Sequence, residues 1–390
     1  MEKINYLVVG AGLTGSVIAR ELAQTGKRIL VIDKRHHTAG NMYDEERMGA
    51  LLKGYGPHII HTNKEHLWKY FSRFATMRRT THIVKADVSK KDREPHYINV
   101  PFNVADEMGK DTAMELIKYF GKTSVGIGEL LNAKDHQIQA IGEFIFDLVF
   151  VNYTAKQWGM EPKDVDPEVL KRVPVNFLSG DNSYFKDEYQ GVPYEGYTYL
   201  INNILDHENI SVKLRTDFNT LLKLGKTRIH LKNIDNYDLS DAIIIYTGPS
   251  DGIDLLKNEL YTLPYRSLEF KVQTINFDEN VLVSPTVNYP NKHEYTRVTE
   301  CKQYYKDSPN ISHIIYEYPR KYRPGFNEPM YPINNDESNT QHDNNELVIV
   351  NKFAHPIHFA GRLGTFRYLN MDVCLEQALE LAQKLIEAQN

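Results

Sequence analysis

The chain has 390 residues, 41% of them hydrophobic, and a formal net charge of −5. This length allows two or three domains, and the mild acidity disfavours a nucleic-acid backbone as a partner. No apolar run reaches the roughly 18 residues that a membrane span needs, and no signal-peptide pattern precedes the first strand. Two cysteines provide neither a disulfide framework nor metal spacing. We therefore expect a cytoplasmic protein with no membrane insertion, no nucleic-acid partner and no metal site.

A βαβ unit with a glycine-rich turn opens the chain. Its parts are a strand at 4–9, the turn Gly10-Ala11-Gly12-Leu13-Thr14-Gly15, a helix to about residue 25 and a second strand that ends at Asp33. Gly10 permits the tight turn, Gly12 lets the backbone approach a pyrophosphate, and Gly15 lets the helix pack close to the sheet. Asp33 follows by about 20 residues, where a carboxylate can accept hydrogen bonds from ribose hydroxyls. The unit predicts a dinucleotide site rather than a purely structural glycine turn.

Two other segments favour FAD over NAD. The basic pair Lys34-Arg35 and the small-residue loop at Gly40-Asn41 are similar to the phosphate and ribityl contact region of FAD enzymes related to glutathione reductase and the amine oxidases. Near the C-terminus a strand ends at Gly361, where such enzymes return to the cofactor, and Arg362 stands in place of their usual acid. No second glycine fingerprint follows a strand, so no separate NAD(P)H domain is predicted.

Hydrophobic periodicity divides the rest of the chain into helical and extended stretches. We predict helices at 63–80, 113–120, 127–131, 136–150, 197–206 and 371–388, and extended chain at 81–100, 242–249, 266–273, 281–288, 295–300 and 311–318. The strand at 242–249 should return to the cofactor sheet, whereas the strands between 264 and 334 should form an antiparallel sheet. The polar run at 335–346 is typical of a mobile surface loop. A glycine- and proline-rich loop carries His58 and His61 with no third metal ligand nearby.

The predicted fold class is α/β, with an FAD-binding Rossmann-like domain, an inserted helical subdomain and an antiparallel β-sheet domain. The expected divisions are 1–80, 196–262 and 345–390 for the cofactor domain, 101–165 for a helical subdomain that covers the ligand, and 81–100, 166–195 and 263–344 for the sheet domain. A mobile loop is expected near 166–185, because long polar segments inside compact chains are commonly functional.

The segment 149–159 gathers groups suited to a nucleobase. Tyr153 offers a flat ring, Trp158 offers an indole with one donor, and hydroxyl, amide and ammonium groups lie between them. A base can stack on such a ring while its polar edge is held. A helix end with two aromatic residues in the core is the alternative. Arg172, on the polar segment, either closes on an anionic ligand or is simply solvated.

Together these stretches resemble the UDP-galactopyranose mutase family over nearly the whole chain. The matching pieces are 10–15, 40–41, 55–62, 153–159, 172–175, 181–185, 196–198, 246–249, 265–268, 295–297, 317–319 and 361–369. The resemblance implies a homodimeric flavoenzyme that interconverts UDP-galactopyranose and UDP-galactofuranose for cell-surface glycan biosynthesis, without net redox. In that family N5 of the reduced flavin (FADH⁻) attacks the anomeric carbon, UDP leaves, and the sugar ring opens and recloses through another hydroxyl.

The resemblance also assigns roles, each by position in the family pattern. The implied catalytic residues are Arg172, Arg266, Arg297, His61 and Arg362. The implied substrate contacts are Phe150, Tyr153, Thr154, Trp158, Arg172, Tyr184, Phe185, Arg266, Arg297, Tyr331, Tyr368 and Asn370. The implied cofactor contacts are Gly10, Gly12, Leu13, Thr14, Gly15, Asp33, Lys34, Arg35, Gly40, Asn41, His58, Ile59, His61, Thr247, Gly248, Gly361, Arg362, Tyr368, Leu369, Asn370 and Met371. Tyr153 would lie against uracil and Trp158 near the ribose and the sugar, while Arg172 would close on the diphosphate.

Several positions depart from the family pattern. These are Asn370 in place of Asp, Asn176 in place of Arg, Met330 and Phe366 in place of Tyr, and Val149 where an aromatic residue is common near the base. UDP-galactose is the leading substrate, but because of these departures UDP-N-acetylgalactosamine and dTDP-fucose stay open. An FAD-dependent oxidoreductase of the amine-oxidase kind is the alternative of another class, but it needs an apolar substrate cage. A non-catalytic role for FAD is the last alternative.

Overall fold

A five-stranded parallel sheet joins the two ends of the chain. This computed structural model describes residues 1–159, 174–277, 279–305 and 310–388. In spatial order the strands are Ile210–Lys213, Ile29–Ile32, Tyr6–Val9, Ile243–Tyr246 and Ile357–Phe359. The chain order reverses between Tyr6–Val9 and Ile243–Tyr246, so the carboxyl ends of these two strands frame a crevice of the kind that binds ligands. The predicted βαβ unit and the returning strand at 242–249 are confirmed.

Apolar side chains on both faces of this sheet account for its uninterrupted hydrophobic strands. Tyr6 and Val8 enter one core, and Leu7, between them, enters the core on the opposite face. Successive side chains of a strand face opposite sides, so one short run serves both cores. The long helices packed on the sheet are Leu13–Ala23, Tyr197–Leu205 and Met371–Glu387 on one face and Asp336–Lys352 on the other.

A seven-stranded sheet is the second large sheet. In spatial order its strands are Tyr331–Pro332, Tyr265–Asn276, Ile311–Lys321, Arg297–Glu300, Thr286–Asn288, Val84–Asp87 and Tyr97–Val100, antiparallel except for the fifth and sixth. The predicted strands at 266–273 and 311–318 are confirmed, and the predicted strand at 295–300 is confirmed from Arg297 onward. The predicted strand at 281–288 is wrong before Thr286, because the N–H groups of Val281 and Leu282 donate to the Glu300 carboxylate instead of a neighbouring strand.

Helices occupy most of residues 104–158. Their bounds are Val104–Glu107, Lys110–Phe120, Ile127–Leu131, His136–Ile145 and Asn152–Trp158. Where the sequence predicts one continuous helix to residue 150, Phe146–Val151 forms a π-helical turn. Such turns are frequent at functional sites. Val149 and Phe150 of this turn share a core with the strands Val84–Asp87 and Tyr97–Val100.

The prediction of a mobile loop at 335–346 is wrong, because an α-helix spans Asp336–Lys352. The Asn335 side chain accepts a hydrogen bond from the N–H of Ser338, and the Ser338 hydroxyl accepts one from the N–H of Asn335. This reciprocal cap satisfies N–H groups that the start of a helix otherwise leaves unpaired. Buried Asn345 anchors the helix through two hydrogen bonds to the backbone of a neighbouring segment. Polar residues therefore cap and anchor a helix here.

Shorter elements complete the described chain. A three-stranded antiparallel sheet has the order Ile60–Thr62, Tyr189–Pro193, Met77–Arg79. The two-stranded pairs are Asp44–Arg47 with Ala50–Lys53, Ser124–Gly126 with Pro174–Asn176, Leu222–Leu224 with Ile229–Leu231, and Glu2–Lys3 with Tyr237–Asp238. The remaining helical segments are Glu65–Ser72, Gly361–Gly364 and the short 3₁₀ turns Gly40–Met42, Phe218–Leu221, Asp254–Leu256 and Cys301–Tyr304. None of the described helices has the length and apolar character needed to cross a membrane. Residues 166–173 of the predicted mobile loop lie outside the described residues.

Candidate active site

The glycine-rich turn lies against two other loops at the carboxyl ends of the parallel strands. Gly10 has a φ of 109°, and a Cβ there would lie 2.0 Å from the hydroxyl oxygen of Thr247, which itself donates to the Val9 carbonyl. Gly12 faces Gly40, where a Cβ would lie 3.1 Å from the Gly12 Cα. A side chain at Gly10 or Gly40 would push these loops apart, so the close approach requires glycine at both positions.

Asp33 ends the second strand with both carboxylate oxygens in use. One oxygen accepts from the N–H of Ala11 at 2.9 Å, and the other accepts from the N–H of Arg35 at 2.8 Å. Arg35 and Lys34 each pair with Glu328, at 3.3 and 3.1 Å. Asp33 therefore ties the glycine-rich turn to the basic turn, and Glu328 holds both basic side chains beside the same opening.

These loops line a cavity of about 530 Å³, which we call the dinucleotide cavity. The predicted cofactor residues in its lining are Gly10, Gly12, Leu13, Thr14, Gly15, Asp33, Lys34, Arg35, Asn41, His58, Thr247, Gly248, Gly361, Arg362, Leu369 and Met371. Gly40 is not in this lining but contacts Gly12, which is. Ile59, His61, Tyr368 and Asn370 line a neighbouring cavity. Backbone glycines, a carboxylate and a basic pair around one cavity fit an adenine dinucleotide.

The neighbouring cavity, of about 560 Å³, is called here the ligand cavity. The predicted substrate residues in its lining are Phe150, Tyr153, Tyr184, Phe185, Arg297, Tyr331, Tyr368 and Asn370. His58, Arg362 and Met371 line both cavities, so the two cavities meet at these residues. A group held in the dinucleotide cavity would therefore reach the ligand cavity at this point.

Two fixed cations face the ligand cavity. Arg297 donates through Nε and Nη2 to the two oxygens of Glu317, at 2.9 and 2.8 Å. Burial alone would lower the pKa of Arg297, but the Glu317 carboxylate, together with Tyr153 and Tyr331, raises that pKa well above its ordinary value. Arg362 donates through Nε and Nη2 to the carbonyl of Leu369, at 3.1 and 2.6 Å, which fixes its guanidinium. Both side chains therefore present oriented positive charge to a ligand.

Tyr331 and Tyr368 lie beside Arg362. Their ring centroids are 5.3 Å apart and lie 5.6 and 5.0 Å from the guanidinium carbon. Burial, and then the neighbouring Tyr368, raise the pKa of Tyr331, so its hydroxyl keeps a proton that it can donate. Arg297, Arg362, Tyr331 and Tyr368 form what we call the anion site, because preorganised guanidinium and hydroxyl donors suit a diphosphate.

Apolar side chains and one tyrosine line another part of the ligand cavity. The apolar residues are Val84, Ala86, Val100, Val149 and Phe150. Burial raises the pKa of Tyr153, so its hydroxyl stays protonated among them. A flat ring with apolar walls suits a nucleobase. Val149, which departs from the family pattern, belongs to this wall.

Two histidines of the ligand cavity are held neutral. Burial, together with the nearby cations Lys53 and Arg362, lowers the pKa of His58 to about 3. Burial and the charge of Arg297 lower the pKa of His82 to about 3 as well. Neither ring carries a charge at neutral pH, so the positive charge of the cavity comes from Arg297, Arg362 and Lys186 and not from these histidines.

His61 differs because it pairs with a carboxylate. Its Nδ1 lies 2.9 Å from Oδ2 of Asp187, and its ring stacks on Phe185 with the centroids 3.6 Å apart. The other oxygen of Asp187 accepts from the amide of Asn63 at 3.0 Å. Both His61 and Asp187 line the ligand cavity.

Some predicted substrate residues lie outside the lining of the ligand cavity. Arg266 donates to two backbone carbonyls at the end of the helix that carries Trp158. Trp158 packs against the two tyrosines of the anion site, with centroids 6.1 and 5.8 Å apart. Thr154 is buried on the same helix. Arg172 lies outside the described residues.

Among the charged or titratable residues that sequence reasoning missed, four pair with or lie beside predicted residues of the two cavities. They are Glu317, Asp187, His82 and Glu328. Glu317 lies directly opposite Arg297 on the neighbouring antiparallel strand, so a known strand register would have indicated it. The other three are distant in sequence from their partners, and no local motif marks them.

Comparison with known protein families identifies the family of this chain. A family model described as UDP-galactopyranose mutase matches residues 148–368, more than half of the chain, and a model described as NAD(P)-binding Rossmann-like domain matches residues 8–74. The chain belongs to the UDP-galactopyranose mutase family. The predicted family and the predicted α/β fold with a Rossmann-like domain are thereby confirmed.

Two relatives of this family member carry different nucleotide sugars in their names. A probable UDP-galactopyranose mutase of Klebsiella pneumoniae is 35% identical over 100% of this chain and 96% of that protein. A dTDP-fucopyranose mutase of Escherichia coli is 32% identical over 98% of this chain and 98% of that protein. Among solved structures, a reduced UDP-galactopyranose mutase has a TM-score of 0.65 and 14% identity, over 99% of this chain and 96% of that one. That likeness shows a shared fold.

Proposed function

We propose that this chain is a flavin-dependent isomerase that interconverts the pyranose and furanose forms of a nucleotide-diphosphate sugar, with UDP-galactose as the leading substrate. The observation that carries the proposal is the meeting of the dinucleotide cavity and the ligand cavity at His58, Arg362 and Met371. A cofactor in the first cavity would touch a sugar nucleotide in the second at this one place. Family membership supports the reaction class, whereas the two relatives differ in both base and sugar.

FAD is the proposed cofactor. The glycine-rich turn, Asp33 and the basic pair Lys34 and Arg35 would hold it, because they offer backbone N–H groups, a ribose acceptor and phosphate donors in one lining. When bound and reduced, FAD supplies the nucleophile for the anomeric carbon, with the nucleoside diphosphate as leaving group. The protein would contribute orientation and charge.

The anion site is proposed to bind the diphosphate and to stabilise the charge that develops as it leaves. Arg297 and Arg362 are fixed before ligand binding, so they need little reorganisation at the moment of reaction. Arg172 and Arg266 are proposed to complete the site when substrate is bound, and Arg266 would then exchange its two carbonyl partners for phosphate oxygens. Trp158, packed on the two tyrosines of the site, would contact the ribose and the sugar.

The base is proposed to lie against Tyr153, between the apolar side chains of the ligand cavity. Phe150 and Thr154 come from the same helical segment, and Tyr184, Phe185 and Asn370 would bound the rest of the nucleotide sugar. An amine-oxidase-like reaction is less well supported, because Arg297 and Arg362 place two cations where such an enzyme needs an apolar cage.

The proposal extends to the organisation of the protein. It includes the three-part division into a cofactor domain, a helical subdomain and a sheet domain, and a cytoplasmic homodimer that serves cell-surface glycan biosynthesis. Light scattering of the purified protein at several concentrations measures the oligomeric state directly, and a monomer at all of them would remove the dimer from the proposal.

The decisive experiment uses purified protein reduced with dithionite. UDP-galactofuranose is added, and UDP-galactopyranose is measured by chromatography beside an unreduced sample, with UDP-N-acetylgalactosamine and dTDP-fucopyranose tested in parallel. Conversion only after reduction is the expected result. Arg297→Met should abolish it, whereas Arg320→Met, which removes a partly exposed arginine of the same sheet, should not. A protein that binds no flavin, or that converts none of the three nucleotide sugars when reduced, would refute the proposal.

A further inference from the structure

Asp187 and Asn63 hold His61 in one orientation. The Asp187 carboxylate accepts from His61 Nδ1 on one side and from the Asn63 amide on the other. The Asn63 side-chain oxygen accepts in turn from the N–H of Glu188 at 2.9 Å, so the carboxylate is tied to the backbone of its own segment. The Phe185 ring, inclined by 10° to the imidazole, limits its rotation. Since a carboxylate can only accept, the proton of the neutral ring lies on Nδ1.

The other two histidines of the ligand cavity lack such a partner. Nδ1 of His58 lies 3.1 Å from the Gly56 carbonyl, and Nδ1 of His82 lies 3.3 Å from the Tyr304 hydroxyl. Among the described residues of the cavity lining, His61 is the histidine with a carboxylate at hydrogen-bond distance. A carboxylate in this position stabilises the imidazolium that forms when the ring takes up a proton.

Nε2 of His61 is available to a ligand. No residue in the described part of the chain forms a hydrogen bond with this nitrogen, and the ring lines the ligand cavity. His58, at the junction with the dinucleotide cavity, lies three residues away on the same short segment and in the same lining. An oriented ring nitrogen with an open position therefore faces the space proposed for the sugar nucleotide.

Conversion of a pyranose to a furanose moves one proton between two sugar oxygens. When the bond between the anomeric carbon and the ring oxygen breaks, the electron pair stays on that oxygen, which takes up a proton. When the other hydroxyl attacks, its lone pair forms the new bond to the anomeric carbon and its proton is released. The imidazolium form of one histidine can give the first proton from Nε2, which leaves the neutral ring with its proton on Nδ1. It can then take the second proton back on Nε2, so the exchange needs no oxidant and no net proton.

We propose that His61 carries this proton on Nε2 and that Asp187 is a positioning residue that holds His61 in the required tautomer and orientation. The inference rests on the proposed isomerase function and deepens it. It applies equally to all three nucleotide sugars, because the exchange involves only the ring oxygen and the attacking hydroxyl.

The test compares four variants and one control variant of the reduced, FAD-loaded enzyme on the nucleotide sugar that the wild type converts. His61→Gln should lower kcat by about 100-fold or more, and Asp187→Asn by about tenfold or more, with FAD content and UDP affinity retained. The double variant should be no slower than His61→Gln, because Asp187 acts through His61. Asp187→Glu should restore part of the loss. The matched control is Glu346→Gln, which removes the carboxylate 3.1 Å from His342, a pair outside both cavities, and should leave kcat unchanged.

Side-chain ¹⁵N NMR of the histidines gives a readout that is independent of turnover. The oxidised wild type should show the His61 proton on Nδ1, and Asp187→Asn should change this signal, with His61→Gln used to assign it. If Asp187→Asn fails to load FAD, Asn63→Ala, which releases the carboxylate without removing it, should lower kcat to a smaller extent.

A wild-type kcat in Asp187→Asn or, where that variant does not load, in Asn63→Ala would overturn the inference while the isomerase stands. The inference is also overturned if Asp187→Asn lowers kcat by the same factor in the His61→Gln background as in the wild type. It is likewise overturned if Asp187→Asn does not change the NMR signal of His61. A wild type that converts none of the three sugars, despite an Asp187-dependent His61 signal, would remove the proposed function and the proton-carrying role with it.

Discussion

Glu317→Gln removes one charge from the buried pair with Arg297 and keeps the shape of the side chain. The Glu317 side chain is 1% exposed and that of Arg297 is 25% exposed, so water screens the pair poorly. Two unit charges about 4 Å apart interact by about 4 kcal/mol at an effective dielectric constant of 20. Glutamine keeps a neutral hydrogen bond worth about 1 kcal/mol. We therefore expect the free energy of unfolding to fall by about 3 kcal/mol, near the range for breaking one partner of a buried pair.

Chemical denaturation of the flavin-loaded protein measures this loss. The matched control is Glu269→Gln, because Glu269 pairs with Arg320 at 2.7 Å on the strands Tyr265–Asn276 and Ile311–Lys321, with side chains 44% and 39% exposed. That exposed pair should contribute no more than about 1 kcal/mol.

A double-mutant cycle separates the pair from its surroundings. The double variant Arg297→Met with Glu317→Gln should lose clearly less free energy of unfolding than the two single variants lose in sum. The reason is that the double variant leaves no unpaired buried charge. The reasoning is refuted if Glu317→Gln costs no more than Glu269→Gln, or if the two single losses add.

Three other predictions follow from particular contacts. Gly10→Ala should abolish FAD binding, measured by the absorbance of the purified protein, because its Cβ meets Thr247 at 2.0 Å; Gly26→Ala, with positive φ but nothing within 4 Å, should bind FAD normally and lose only about 1–2 kcal/mol to strain. Asn335→Ala should lower the free energy of unfolding by about 1 kcal/mol through the lost cap, whereas Asn344→Ala, on the exposed face of the same helix, should not; equal effects would contradict the capping argument. His82 is neutral in the fold, with a pKa near 3 against 6.5 for the free side chain, so the wild type loses stability as the pH falls below 6.5. Between about pH 6 and 4, this histidine should make the free energy of unfolding fall by about 1.4 kcal/mol per pH unit, and His82→Gln should remove that contribution. Denaturation of both proteins at several pH values measures the difference, and parallel plots of free energy against pH would show that this pKa is not depressed.

Sequence patterns predicted the structure correctly where the residues involved are close together in the chain. The turn from Gly10 to Gly15, the strand before it and Asp33 after it lie within about 30 residues, and their spacing follows from the geometry of one βαβ unit. The prediction from composition was wrong at 335–346, where the polar residues indicated a loop but most of them belong to a helix. Whether Asn335 caps a helix or Asn345 anchors one depends on partners that composition does not describe.

The sequence by itself determined the fold class, the family and the chemical nature of both cavities, because glycine spacing, strand periodicity and the order of the motifs are properties of the chain. Tertiary structure alone decided that the two cavities meet at His58, Arg362 and Met371, that Glu317 faces Arg297, and that Asp187 faces His61. His61 and Asp187 are 126 residues apart. Strand register and loop closure bring such distant groups to within 3 Å, and these depend on how whole elements pack, which no local pattern contains.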